Sequence, residues 1–285
     1  MATTPAPPDV VLPVDIPIPP KRSLVRDAVA ELRAVRRYRH LLRYLTTSSL
    51  RTENANTVFG FVWWILDPLL LMSVYVLLMV VLLQRGGPDF PVFILTAIIA
   101  WELFSKGVRN MVTGTVRKER SMRQVPFPKS VLPLSAIIAA AVHFSFAFCV
   151  LLVVAILFGF LPSVYALFAV PIALVQIVFT LGVGFFLSAI NIFFRDTTKL
   201  IRYVFRIGFY LSPTLYPLSA VPQSIRPYYD LNPFATLIPA YRDAVMYQKV
   251  PDLAALGIVA AASALVLVLG FLFFVRLQPW FAKLV

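Results

Sequence analysis

Two ionisable side chains, Glu102 and Lys106, lie four residues apart inside an otherwise apolar stretch. A carboxylate that precedes an ammonium by four residues can pair with it along one face of a helix. Ionisable groups at membrane depth either bind one another or carry protons. No further carboxylates continue a proton route nearby, so we predict a structural ion pair. We also predict that His143 makes a polar contact between helices and that Asp67, before Pro68, caps or satisfies backbone groups near the cytoplasmic end of the first span.

Residues of the other kinds used in catalysis are scattered. The sequence contains no glycine-rich phosphate loop of the Walker type and no Asp-x-Asp pair for a metal-bound sugar nucleotide. His40 and His143 are isolated, so no spacing suits a metal. The four acids of the outer connections are far apart in sequence: Asp89, Asp230, Asp243 and Asp252. These absences disfavour a membrane enzyme that processes glycans or lipids.

The composition is that of an integral membrane protein. The 285-residue chain is 60% hydrophobic, has a mean hydropathy of +0.83 and contains 13 acids. A soluble domain of this size needs more polar surface, so we predict an all-α membrane protein. The net charge of +13 would suggest nucleic acid in a soluble protein, but here it favours positive charge held on the cytoplasmic side. The lone Cys149 excludes an internal disulfide.

Hydropathy and periodicity predict the elements in order. Residues 1–23 form a proline-rich disordered tail, and residues 24–50 form a basic amphipathic helix that lies on the membrane surface or packs on a soluble partner. About 20 apolar residues are needed for each spanning helix. Six predicted spans follow, at 61–83, 92–111, 134–158, 164–191, 200–214 and 253–275. With this topology, 22 of the 26 lysines and arginines share one side with both termini, which places the termini in the cytoplasm.

The last outer connection, residues 215–250, is unusually rich in proline. Prolines at 213, 217, 222, 227, 233 and 239 recur about every fifth residue. No ordinary spanning helix tolerates this, because each proline removes a backbone donor. The stretch is nevertheless apolar, and broken backbone at membrane depth occurs only where it is buried or lines a cavity. We therefore predict re-entrant helices that help form a path through the bilayer.

Aromatic side chains recur beside this predicted path. Aromatic faces combine apolar contact with a polar handle, which suits sugar rings, although each one alone could equally belong to a lipid-facing belt. The predicted path residues are Trp101, Phe186, Phe193, Phe209, Tyr210 and Tyr216. On the cytoplasmic side, the basic connection 117–130 surrounds Pro126-Phe127-Pro128 and is either a docking element or a solvated loop.

Several ordered motifs resemble the membrane subunit of type-2 ABC exporters, in the branch that moves polysaccharides such as O-antigen, teichoic acid and capsule. The resemblance covers about 25–285. Its motifs are Asn56-Thr-Val-Phe-Gly-Phe-Val-Trp-Trp-Ile-Leu-Asp-Pro, Trp101 with Phe104-Ser105, Val125-Pro-Phe-Pro-Lys, Asn191-Ile-Phe-Phe-Arg-Asp, Ser212-Pro-Thr-Leu-Tyr-Pro, and Leu231-Asn-Pro followed by Arg242. Phe59, where the family usually has Leu, and the long N-terminal tail depart from the pattern.

The resemblance implies a homodimer bound to two copies of a separate ABC ATPase, which would hold the ATP and Mg, so that this chain needs no cofactor. The implied ATPase-coupling residues are Arg117, Lys118, Arg120, Arg123, Pro126, Phe127 and Lys129. The implied outer gate comprises Pro213, Tyr228, Tyr229, Asn232, Pro233 and Arg242. The implied cargo is a lipid-linked glycan in a bacterial plasma membrane, and cargo selection lies either in this chain or on the ATPase.

The sequence leaves two further choices open. A permease of the same family that moves a small lipid or drug remains the alternative, although the aromatic outer loop favours glycans. The Ala-, Val- and Arg-rich usage points to a high-GC bacterium, for which a cell-wall galactan would be a natural cargo.

Overall fold

A computed structural model describes residues 23–53, 59–121 and 127–284. Every element in these ranges is helical, which confirms the all-α prediction. The ten α-helices are α1 (Leu24–Arg37), α2 (Arg39–Glu53), α3 (Trp63–Val76), α4 (Phe90–Ser121), α5 (Val131–Leu157), α6 (Ala169–Phe193), α7 (Thr197–Leu211), α8 (Arg226–Tyr229), α9 (Phe234–Val245) and α10 (Leu253–Leu284). Turns of 3-10 helix precede α3 and α6, and a π-helical turn, Leu77–Leu82, extends α3.

The predicted N-terminal helix divides into two. A turn at Tyr38 separates α1 from α2, and this residue closes α1 by donating its backbone N–H to the Ala34 carbonyl oxygen. α2 packs against α5, whereas α1 packs against α10. The division lets two short amphipathic helices follow two different neighbours, which a single straight helix over 24–50 could not do.

α4 is the central helix, and it packs against α3, α5, α6, α7 and α9. α6 and α10 approach each other closely, because a Cβ atom at Gly182 would lie 2.6 Å from the backbone nitrogen of Leu267. Small residues allow membrane helices to approach in this way. The spanning segment that contains α3 is covered least, and Ile65, Leu70 and Val74 of α3 are among its exposed apolar residues.

Five helical segments of the described chain are long and apolar enough to span a membrane: Gly60–Leu82, Phe90–Val116, Val131–Leu157, Val164–Phe193 and Leu253–Phe281. The fifth predicted span, 200–214, corresponds to α7, which begins and ends three residues earlier and has the same length of 15 residues. At 1.5 Å per residue it covers about 22 Å, short of the roughly 30 Å hydrocarbon core. α7 alone is therefore not a complete span.

The chain after α6 nevertheless returns to the opposite end of that helix. The Gln248 side chain donates to the carbonyl oxygen of Leu161, which lies just before the N-terminal end of α6. The 25 residues of α6 separate its two ends by about 37 Å. α7 and the proline-rich stretch together therefore cover the same distance as α6. α8 and α9 lie in the loop that was predicted to hold re-entrant helices.

Candidate functional site

A groove of about 260 Å³ lies between α3, α4 and α7. Its lining residues follow helical spacing, because one face of each helix turns towards it. α3 contributes Leu71 and Tyr75; α4 contributes Ile98, Trp101, Glu102, Ser105 and Arg109; α7 contributes Arg202, Phe205, Arg206, Phe209 and Tyr210. The groove is thus aromatic at one end and cationic at the other.

Three of the predicted path residues meet at the aromatic end. The ring centroids of Trp101 and Phe209 lie 6.0 Å apart, and Tyr75 stacks on Phe209 at 5.6 Å. The hydroxyl oxygens of Tyr75 and Tyr210 are 3.5 Å apart. Edge and face contacts of this kind hold the rings in fixed positions and place the two paired hydroxyl groups at the groove, where a polar cargo could meet them.

The outer end of the groove continues into a larger cavity. This outer cavity has a volume of about 640 Å³ and shares Tyr210 with the groove. Tyr216, another predicted path residue, also lines it and donates its hydroxyl to the Tyr210 carbonyl oxygen at 3.1 Å. Tyr210 therefore stands between the two spaces.

The remaining predicted path residues lie elsewhere. Phe186 packs on Phe273 of α10, with ring centroids 4.8 Å apart, and Phe193 is exposed at the C-terminal end of α6. Neither residue lines the groove or the outer cavity. Near Phe186 the helix that packs against α6 is α10, so this aromatic residue lies apart from the other predicted path residues.

Arg242 is the best-connected residue of the predicted outer gate. Its side chain on α9 is 2% exposed. The guanidinium donates to the carbonyl oxygen of Thr214 at 2.9 Å and to that of Phe93 at 3.3 Å. It also lies 3.3 Å from the centre of the Phe93 ring, a cation–π contact. Arg242 therefore joins α9 to the start of α4 and to the chain just after α7.

Other gate residues are tied to the same stretch. Asn232 donates to the Ser212 hydroxyl at 3.0 Å and accepts from the Phe234 backbone N–H at the start of α9. The Tyr216 and Tyr229 hydroxyl oxygens lie 3.1 Å apart. Pro213 is buried beside Ser212. The proline-rich stretch is thus a packed structure in the described chain.

A second cavity, which we call the apolar cavity, lies on the other side of α7 and has a volume of about 530 Å³. It shares Trp101 and Phe205 with the groove. The predicted gate residues Tyr228, Tyr229, Asn232 and Pro233 all line it. These residues therefore face a largely apolar space beside α7.

The predicted coupling residues lie at the opposite end of the molecule. Arg117, Lys118 and Arg120 fall in the last turns of α4, whereas Arg123 and Pro126 lie outside the described residues. Phe127 is buried in a cluster with Leu45 of α2 and Val131 of α5. Lys129 lies 4.5 Å from the centre of the Phe127 ring.

Glu31 of α1 fixes this region to both of its neighbours. Its Oε1 accepts from the Ser130 hydroxyl at 2.7 Å and from the Ser130 backbone N–H at 3.1 Å, where α5 begins. The same oxygen accepts from Gln278 of α10 at 3.3 Å. A carboxylate is favourable at a helix N-terminus. α1, α5 and α10 are consequently joined at one point on one side of the molecule.

The ion pair predicted between Glu102 and Lys106 is confirmed, with 3.3 Å between its charged atoms. The prediction for Asp67 is wrong, because Asp67 lies inside α3 and its carboxylate is 3.8 Å from the Lys106 ammonium. His143 of α5 packs on Trp64 of α3, with ring centroids 5.2 Å apart, so it lies between helices, but through a ring contact and not through the predicted polar one. These contacts hold α3 against α4 and α5.

Sequence reasoning missed several lining residues, and the polar ones with no assigned role are Tyr75, Arg109, Arg202 and Arg206. Arg202 and Arg206 were counted only among cytoplasmic loop charges. Their spacing of four, inside a predicted span, was the signal that both lie on one face of a helix.

Comparisons with known proteins agree on one family. The model of the ABC-2 type transporter family matches residues 32–246, about three quarters of the chain. The chain is 31% identical over 238 residues to the O-antigen export system permease protein RfbA of Myxococcus xanthus, covering 83% of this chain and 92% of that relative. It is 26% identical to the protein of the same description from Klebsiella pneumoniae, over 86% and 94% of the two chains. It is 23% identical to the polysialic acid transport protein KpsM of Escherichia coli, over 78% and 87%.

Proposed function

The chain belongs to the ABC-2 type transporter family, and we propose that it is the membrane permease of an ATP-driven exporter for a lipid-linked polysaccharide. The relatives that support this proposal are named for O-antigen export and polysialic acid transport. The observation that carries it is the succession of groove and outer cavity through Tyr210, lined by aromatic rings and tyrosine hydroxyls. Such a lining suits sugar rings, because it offers apolar faces and hydrogen bonds together.

The proposed assembly contains partners that supply what this chain lacks. A separate ABC ATPase would bind ATP and Mg, while this permease supplies path and gate without covalent chemistry or a cofactor of its own. A second copy of the chain would cover the exposed face of α3. The protein would lie in the bacterial plasma membrane with both termini in the cytoplasm, because 22 of its 26 basic residues then face inwards.

The junction at Glu31 supports a coupling role for the cytoplasmic side. The predicted coupling residues Phe127 and Lys129 adjoin Ser130, which Glu31 connects to α1 and α10. Movement of an ATPase docked on residues 117–130 would therefore reach α4, α5 and α10 together. The double charge reversal Arg123→Glu/Lys129→Glu should reduce export by at least about tenfold, whereas Arg226→Glu on the outer side should not. Export that survives the reversal, with the complex intact, would remove the coupling role.

The experiment that tests the function is depletion of this protein, followed by separation of lipid-linked glycans from the cytoplasmic and outer faces of the membrane. We expect one polymer of the O-antigen or cell-wall galactan type to accumulate inside on its lipid carrier. Normal surface glycan without accumulation would reject polysaccharide export.

Export of a small lipid or drug is the second candidate, and the apolar cavity beside α7 favours it. A pocket of about 530 Å³ with an apolar wall has the size and lining of a small-molecule site. This candidate predicts that small amphiphiles stimulate the ATPase of the reconstituted complex and that depletion leaves surface glycans unchanged. Stimulation of the ATPase by the lipid-linked glycan and not by small amphiphiles would support polysaccharide export instead.

A further inference from the structure

The cationic end of the groove is formed by Arg109 of α4 and by Arg202 and Arg206 of α7. Arg109 and Arg202 are close enough for their positive charges to act on each other. Arg109 donates its Nε–H to the Ser105 carbonyl oxygen at 3.1 Å. Within the described ranges, no carboxylate lies within ion-pair distance of these three arginines. Glu102, the acid that lines the groove, forms its ion pair with Lys106 and attracts the charge of Arg109 from beyond ion-pair distance.

Arg109 lies inside a spanning segment, whereas Arg202 and Arg206 lie on α7 with exposed side chains that border the groove. Arg109 is seven residues from the end of the spanning segment Phe90–Val116, which is about 10 Å along the helix. Arg202 and Arg206 lie about 8 and 14 Å from the first residue of α7. Ionisable residues at membrane depth are unfavourable unless they face water or a partner, and three cations in one groove also repel one another. An anionic ligand would relieve both costs.

The chemistry of the arginines indicates which anion. The planar guanidinium binds phosphate oxygens through two parallel hydrogen bonds, and it keeps its charge at any ordinary pH. Three guanidiniums that have no carboxylate within ion-pair distance in the described chain match the two or three charges of a diphosphate better than the single charge of a sugar carboxylate. A basic pocket between membrane helices on the cytoplasmic side is also a recognised setting for lipid phosphate groups.

The neighbouring spaces fit the two ends of a lipid-linked diphosphate. Tyr210 lies about 12 Å beyond Arg202 along α7, so the aromatic end is placed to meet the first sugars. The apolar cavity shares Trp101 and Phe205 with the groove and is placed to hold hydrocarbon. The polar and apolar halves of the ligand thus meet different faces of the same helix.

We propose that Arg109, Arg202 and Arg206 bind the diphosphate ester through which a lipid carrier holds its glycan. This inference rests on the proposed export function, since it names the part of the cargo that the groove recognises. Binding here would position the first sugars at Trp101 and Tyr210 before the polymer moves outwards.

The test measures binding to the full-length chain in nanodiscs of phosphatidylcholine, by native mass spectrometry. The probes are undecaprenyl diphosphate, undecaprenol, inorganic pyrophosphate and phosphatidylglycerol. We expect the diphosphate lipid to bind at least tenfold more tightly than the other three. The variant Arg202→Gln/Arg206→Gln should weaken its binding by roughly ten- to hundredfold, because charge-assisted hydrogen bonds are lost. Arg202→Lys/Arg206→Lys should fall between, since the charge remains but the paired donors do not.

Lys199→Gln is the matched control, because it removes a positive charge from the same helix at an exposed position outside the groove. Wild-type affinity in this control and weakened binding in the double Gln variant support the site. Equal binding of undecaprenol, equal binding of either other anion, or unchanged binding in the double Gln variant overturns it. The depletion experiment separates this failure from failure of the function, because glycan accumulation there does not depend on the arginines.

Discussion

Replacing Arg242 by Met should loosen the outer end of the protein. The substitution leaves the carbonyl oxygens of Thr214 and Phe93 without their donors, and each buried unpaired acceptor costs about 1–3 kcal/mol. Loss of the cation–π contact with Phe93 adds about 1–2 kcal/mol. Release of the buried guanidinium from its desolvation penalty offsets several kcal/mol of this. We expect a net loss of about 2–4 kcal/mol, since the two acceptors stay buried.

The assay is thermal unfolding of the purified protein in nanodiscs. A loss of this size corresponds to a fall of roughly 5–10 °C in the melting temperature, at about 2–4 °C for each kcal/mol in a chain of this length. Arg226→Met is the matched control, because Arg226 belongs to the same outer stretch but is half-exposed. It should change stability by less than about 0.5 kcal/mol. A melting temperature of Arg242→Met within about 1 °C of wild type would refute the claim that this guanidinium holds the outer stretch.

Three further substitutions test other parts of the fold by the same melting assay. Gly182→Ala should prevent stable folding, because its Cβ would lie 2.6 Å from a backbone nitrogen of α10. Gly257→Ala, whose Cβ would have nothing within 4 Å, should be neutral or slightly stabilising. Equal melting temperatures of the two variants would contradict the close packing of α6 and α10. Asn232→Ala should cost about 1–2 kcal/mol, because it removes the acceptor of the Phe234 backbone N–H at the start of α9 and the donor to Ser212. No loss of stability would show that these bonds are dispensable. Glu31→Ala should cost about 1–2 kcal/mol and lower ATPase stimulation by cargo, because Ser130 loses its acceptor. Glu31→Gln keeps an acceptor oxygen and should lose less stability. Identical losses in the two variants would argue against a role for these hydrogen bonds.

The long apolar helices could be predicted from the sequence because a bilayer demands a minimum length of apolar chain. The end of α7 at Leu211 could not be predicted in the same way. Hydropathy counts residues 200–214 as a span, but it does not register that the backbone turns away at Ser212. That turn is fixed by tertiary bonds from Asn232 and Arg242, which lie 20 and 28 residues further along the chain.

The candidate site could be predicted only in part, because residue type shows which side chains suit the cargo but not which helices pack together. Residue type identified Trp101, Phe209 and Tyr210, since aromatic side chains suit a polar cargo in an apolar wall. Residue type alone also selected Phe186 and Phe193, but which helix stands opposite a given turn of α6 depends on packing. Helical periodicity could have predicted one more feature, because residues four apart, such as Arg202 and Arg206, lie on the same face of a helix.

The new position of these arginines does not weaken the proposed orientation. Removing Arg109, Arg202 and Arg206 from the cytoplasmic count still leaves 19 basic residues on that side against 4 on the other. The four include Arg242, whose guanidinium is bound by carbonyl oxygens and a ring and is therefore a structural charge. The basic residues thus serve two purposes. Those in the connections set the direction of insertion, and those inside the groove, without carboxylate partners in the described chain, are available to a ligand.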